Sequence, residues 1–168
     1  MKMEYCPACG SRLRIKEHPT DVPTLFCETC GDYRFPIFST AISAIVLDGT
    51  EEHMLLITQY GEKEHVFVAG YVDKGETAED AVRREVREEL GMTVRELRFN
   101  RSRFYEPSET LMLNYIVTVR ETVAVPNWEV DSWIWVPVRE AGKLLKTGGL
   151  AEQLLEDFFK MQSETEEV

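Results

Sequence analysis

The sequence has no long apolar run: its longest stretch is a few residues, far below the roughly 20 that a bilayer-spanning helix needs. Its opening, Met1-Lys2-Met3-Glu4, lacks the apolar segment of a secretory signal. Together these absences lead to the expectation of a cytoplasmic chain with no membrane anchor. Positive charge is scarce as well, with 19 Lys and Arg against 30 Asp and Glu and a net charge of −11. A polyanion would meet a repulsive field, so nucleic-acid binding is not expected, and an anionic substrate needs cations supplied locally. Cysteine is missing after residue 30, and there is no internal repeat or low-complexity linker. What remains, 168 residues of which 43% are hydrophobic, suffices for one medium domain with a small satellite.

The satellite is marked by all four cysteines, Cys6-Pro7-Ala8-Cys9 and Cys27-Glu28-Thr29-Cys30, each pair followed by a glycine, Gly10 or Gly31. Two-residue spacing lets a tight turn aim both thiolates at one ion, and two such knuckles complete a tetrahedral zinc site. The glycines permit the positive φ that these turns require. Two disulfides would use the same residues, but a reducing compartment favours thiolate–metal bonding. His18 lies between the knuckles and reads as a loop residue, because four thiolates already fill a structural site. A zinc ribbon over residues 1–35 follows, with the metal supplying much of its folding free energy.

From Ala41 the pattern changes. Ala41 to Leu47 is rich in β-formers and stops at Asp48-Gly49, with His53 to Thr58 as its hairpin partner. Further strands are expected at Val66–Ala69, Leu111–Val119 and Trp133–Val136, and helices at about 78–90 and 149–161, so the main domain, residues 36–162, is α/β. Trp133 and Trp135 share a strand face and read as core. The end, residues 163–168, has no periodicity and reads as an acidic, solvated tail.

The chemistry concentrates between Gly70 and Met92. Thr77 suits an N-cap, Gly91 suits a left-handed C-cap, and Ala78, Ala81, Val82, Val86 and Leu90 recur at helical spacing. Glu85, Glu88 and Glu89 stand at i, i+3 and i+4, which brings three carboxylates to one helix face. A solvated charged face is the plainer account of such a trio. Hard divalent ions, however, prefer carboxylate and water oxygens, and Mg²⁺ bridges a protein carboxylate to substrate phosphates.

The full spacing decides between them: Gly70, five residues, Glu76, seven residues, Arg84-Glu85, an aliphatic residue, any residue, Glu88-Glu89, any residue, Gly91, then Met92. This matches the signature of the Nudix hydrolases at every specified position. The resemblance implies an α/β/α sandwich with a mixed sheet, and Mg²⁺- or Mn²⁺-dependent hydrolysis of a nucleoside diphosphate derivative. Glu85, Glu88 and Glu89 are then metal ligands, one of them or another glutamate handles the attacking water, and Gly70, Glu76 and Arg84 are supporting residues. Glu129 resembles a later glutamate of the family that precedes a tryptophan strand. It is a candidate further ligand or base, against the alternative of an exposed loop residue.

A ribbon ahead of such a domain is similar to the NADH pyrophosphatase branch, which carries a further domain before its ribbon that has no counterpart here. That branch also has a Ser-Gln-Pro-Trp-Pro-Phe-Pro run, whereas residues 101–112 here include Arg101, Arg103, Phe104 and Tyr105. Phe104 and Tyr105 are candidates to stack a base, and Arg101 or Arg103 to meet a phosphate, with loop packing and solvated charge as the alternatives. The expected substrate is a nucleotide-derived small molecule, NAD(H) or an ADP-ribose-type compound. The resemblance also suggests a homodimer. A second function class, a non-catalytic nucleotide sensor whose ribbon docks protein or RNA, would not need the complete glutamate set.

Overall fold

The computed structural model describes residues 3–20 and 22–166; the Met1-Lys2 start and the Glu167-Val168 end lie outside the described residues. The chain divides into two compact units, the first ending at Phe38 and the second beginning at Ser39.

The first unit is a three-stranded antiparallel sheet of β1 (Arg14–Glu17), β2 (Pro23–Cys27) and β3 (Asp32–Arg34). Its own core is small, built on Cys6, Leu13 and Cys27 with Met3 and Leu25 against them.

The second unit is built on a six-stranded mixed sheet in the order β7 (Val94–Tyr105), β8 (Thr110–Val119), β4 (Ser39–Leu47), β5 (His53–Gln59), β9 (Val130–Pro137), with β6 (Val68–Tyr71) also on β4. Only the β4–β8 pair is parallel among those registered. After the Asp48-Gly49 turn, β5 pairs with β4 only at Val46–Leu55 and Leu47–Met54, then leaves it. β6 takes the vacated stretch, Ala41 to Ala44. Just ahead of β6, Val66 still bridges Ile57 of β5 through two backbone hydrogen bonds at 2.8 and 3.1 Å.

Period-two alternation sends the two faces of each strand to different helices. Ile42, Ala44, Val46, Leu55, Ile57 and Val117 pack with Ala81, Val82, Val86 and Leu90 of α1 (Ala78–Leu90). Ile45, Leu47, Met54, Leu56 and Ile116 pack with Leu154, Leu155 and Phe158 of α2 (Leu150–Glu166). The result is an α/β/α sandwich. Trp133 and Trp135 are partly buried against the α1 side.

α2 continues beyond Met161 and takes in residues 163–166, the first part of the segment expected to be a tail. Nothing apolar is needed to extend a solvated helix, and the Ser163 hydroxyl donates back to the Lys160 carbonyl at 2.8 Å. β7 is a larger departure, since its twelve residues, VRELRFNRSRFY, carry four arginines and a charged run that hides any alternation. It is an edge strand with one neighbour, so few of its side chains are buried.

Candidate active site

Two caps fix the helix that carries the acids. The Thr77 hydroxyl accepts from the Asp80 amide at 3.1 Å, and Gly91, at φ 65°, donates to Arg87 O at 2.9 Å. Between the caps, Glu85 and Glu89 turn inward and are buried, while the Glu88 side chain is 55% exposed. β6 runs beneath this face, and at Gly70 a Cβ would overlap the Glu85 carboxylate. A side chain at this position would therefore have to push the Glu85 carboxylate out of its bond to Arg84. Gly70→Ala is expected to destabilise the protein by about 1–3 kcal/mol through overpacking. Gly49→Ala is the control, because a Cβ there meets nothing within 4 Å. Equal melting temperatures for the two variants would contradict this reading of Gly70.

Arg84 organises the loop before the helix. Its Nε and Nη2 donate to Glu76 at 2.9 and 3.0 Å, Nη2 also donates to Tyr71 O at 3.0 Å, and Nη1 donates to Glu85 at 2.6 Å and Glu88 at 3.3 Å. The guanidinium holds the Glu76 carboxyl below its usual value. Arg84 thus fastens the 70–76 loop to α1 and aims two of the acids.

Glu89 is 1% exposed, and burial first, then the charges of Glu85 and Glu129, push its carboxyl up to about 8. Burial also raises Glu85, against the pull of Arg84. Glu129 thus acts on both helix acids from a separate loop. That loop is pinned to the end of α1, where Val125 N donates to Leu90 O at 2.8 Å and Asn127 N to Glu89 O at 3.3 Å. The Asn127 side chain in turn accepts from Glu129 N at 2.9 Å. A carboxyl held above its usual value among other carboxyl groups suits either proton transfer or cation binding.

Two further residues join this group. The Gln59 amide donates to Glu89 at 3.1 Å, and burial, then the charges of Glu129 and Glu89, raise the Tyr60 phenol above its ordinary value. Neither belongs to the glutamate spacing. Their place follows from β5–β9 register, in which Gln59 faces Val130 across a bulge, and only that pairing would have revealed them.

Gln59 also lines a cavity of about 230 Å³ on the α2 side, with Ser43, Phe67, Ala69 and Leu154. A neighbouring cavity of about 450 Å³ includes His65, Tyr105 and Gly149, and the two share Val66, Met112, Leu150 and Ala151. Tyr105 therefore stands at a pocket wall. Arg103 does not contact it: its Nε and Nη2 donate to Asp157 of α2 at 2.7 and 2.9 Å, with Asp157 4% exposed. This bidentate pair turns the guanidinium fork to Asp157 rather than to a phosphate and fastens α2 to β7. Phe104 alternates to the opposite sheet face from Tyr105, so the two do not wall the same pocket. Arg101 is exposed on β7.

In the first unit the four sulfurs lie within 4.8 Å of one another, with Cys6–Cys30 at 3.9 Å and Cys9–Cys27 at 3.5 Å. A disulfide needs about 2.05 Å. A tetrahedral site with metal–sulfur bonds of about 2.3 Å has edges of about 3.8 Å, which fits these separations. The knuckles are alike, with Gly10 N donating to Cys6 O and Gly31 N to Cys27 O at 2.8 and 2.9 Å, and Arg34 Nε donates to the Cys6 sulfur at 3.2 Å. Among the described residues no other set of three or more such donors is gathered this tightly, so the acid cluster is the more open of the two.

Residues 38–158 match the NUDIX domain family. The chain belongs to the Nudix family. It is 26% identical over 158 residues to the NAD-capped RNA hydrolase NudC of Vibrio parahaemolyticus, covering 92% of this chain and 58% of that protein. To the NAD-capped RNA hydrolase NudC of Deinococcus radiodurans it is 31% identical over 159 residues, covering 92% of this chain and 56% of that one. The chain thus spans little more than half the length of these curated relatives. A NUDIX hydrolase from Nitrosomonas europaea has the same fold, with a TM-score of 0.68, 16% identity, and 96% of this chain and 93% of that one covered. Among the described residues of this Nudix protein no helix is long and apolar enough to cross a membrane.

Proposed function

We propose that this protein hydrolyses the diphosphate bond of a nucleoside diphosphate derivative, a dinucleotide such as NAD(H) or a related ADP-ribose-type compound, and releases a nucleoside monophosphate. The observation that carries this is the convergence of Glu85, Glu88 and Glu89 from α1 with Glu129 from a separate loop, beside a largely apolar cavity. Glu85, Glu88 and Glu89 would hold Mg²⁺ or Mn²⁺, with Glu129 as a further ligand or base. Bound there, the ions would withdraw charge from the diphosphate and acidify a water. Arg84 and Gly70 hold Glu85 in place, and Gln59 holds Glu89.

The cavity of about 230 Å³ lined by Gln59, Phe67 and Leu154 supports a flat apolar group, a base, at one end of the substrate. The names of the relatives add an NAD-capped RNA to the substrates worth testing. The charge of −11 disfavours the body of an RNA and leaves the dinucleotide as the preferred substrate. Cys6, Cys9, Cys27 and Cys30 would hold one structural Zn²⁺, with no open position for chemistry.

The test is a panel of NAD⁺, NADH, ADP-ribose, ADP-glucose, diadenosine polyphosphates and NAD-capped RNA with each metal. Monophosphate release from a dinucleotide is expected. Tight binding without product would favour the sensor reading instead.

A further inference from the structure

The cavity beside Gln59 is walled by apolar side chains such as Phe67, Met112 and Leu154, and its two polar members are Gln59 and Ser43. Ser43 is 4% exposed and alternates on β4 with Ile45 and Leu47, which puts its side chain on the α2 face, where the cavity lies. A buried ladder of amides fixes which way its hydroxyl points. The Leu154 carbonyl can only accept, so the Asn100 group that meets it at 3.1 Å is the NH2. The same nitrogen donates to Asn114 Oδ1 at 2.8 Å. Asn114 Nδ2 is thereby turned to Ser43, where it donates to the main-chain carbonyl at 3.1 Å and to the hydroxyl oxygen at 3.2 Å. Among the described residues Asn100 Oδ1 has no partner, yet flipping either amide would set its oxygen against a carbonyl oxygen. Ser43 Oγ therefore accepts, and among the described residues nothing takes its proton.

A buried hydroxyl whose proton is unused, on a wall that is otherwise apolar, is a donor open to an occupant of the cavity. Gln59 ties the same cavity to the acids through its bond to Glu89. We propose that Ser43 is a specificity-determining residue, donating its hydroxyl proton to a ring nitrogen of the base seated in this cavity, with Asn114 and Asn100 holding it in the donor orientation. This rests on the hydrolase reading above. A base edge with a ring nitrogen gains a bond there, whereas one with C–H at that place leaves the hydroxyl buried and unpaired. Loss of the hydroxyl alone disturbs the fold little, because Asn114 Nδ2 keeps the main-chain carbonyl of residue 43 as its acceptor.

ADP-ribose carries a single base, so it and its three analogues in which one adenine ring nitrogen, at position 1, 3 or 7, is replaced by C–H identify the bond. Ser43→Ala is expected to lower kcat/KM for ADP-ribose about fivefold, through KM, with kcat within about twofold of wild type. One analogue is expected to be about fivefold poorer than ADP-ribose with wild type and indifferent to Ser43→Ala, because donor and acceptor are then both gone. Asn114→Leu, which frees the hydroxyl to turn, should cut the wild-type discrimination to about twofold or less while kcat holds. Undiminished discrimination in that variant would remove Asn114 from the arrangement. The same loss for all four compounds in Ser43→Ala, or no loss, would overturn the donor role. Should wild type hydrolyse none of them with either metal, the hydrolase reading fails separately, and calorimetric binding of the same compounds decides for Ser43. Weaker binding to Ser43→Ala that vanishes for one analogue supports the donor; equal binding by both proteins, or none, overturns it.

Discussion

Replacing Glu88 with Gln is expected to lower turnover by on the order of 10²–10⁴-fold while leaving the melting temperature within a degree or two of wild type. Glu88 is the cleanest of the acids to remove. Glu85 is pressed against Gly70 and bonded to Arg84, and Glu89 is buried against Gln59, so changing either also disturbs packing. Glu88 has a half-exposed side chain and one long contact to Arg84, at 3.3 Å, and exposed pairs of this kind are worth about 0.3–0.5 kcal/mol. A large kinetic loss with a small thermal one would separate chemistry from folding. Steady-state assays with both metals and a thermal scan check it, and wild-type turnover in the variant would remove Glu88 from the site.

The second large effect concerns the ribbon. With so small a core in the first unit, one metal ion held by the four thiolates would carry the folding free energy, about 10–16 kcal/mol in isolated zinc-finger peptides. Chelation, or Cys27→Ser at the fully buried knuckle cysteine, is expected to unfold β1 to β3 and leave the sheet from β4 onward folded. Amide exchange would read this directly: protection lost across residues 14–34 and kept across residues 39–47. Purified protein is expected to carry one zinc per chain by elemental analysis. Retained protection in the metal-free ribbon would mean that its small core suffices.

The helix that carries the acids is legible in the sequence. The α1 boundaries, both caps and the buried stripe follow from local signals, because Thr77, Gly91 and the Ala81, Val82, Val86, Leu90 series act within one or two turns of chain. The sequence pattern also separates the ribbon from the main domain, with the compact units meeting three residues later than expected, between Phe38 and Ser39. What local reading could not reach was set by pairing over distance. β7 is a charged edge strand whose order comes from β8, and the residues around Arg103 consequently read as a loop. Asp157 lies 54 positions from Arg103, and only the packing of α2 on the sheet shows that the two are partners. Gln59 and Tyr60 likewise look like the ordinary end of a strand. Their role depends on the bulge that brings β5 beside the Glu129 loop.

On the proposed reading, the acid face of α1 directs water to phosphorus. Hydrolysis of the best substrate of the panel in oxygen-18 water, with Mn²⁺ and again with chelator, tests it most directly. The label is expected in the phosphate of one released monophosphate, with the reaction abolished by chelator. Cleavage at a glycosidic bond, with the diphosphate intact and unlabelled, would contradict it.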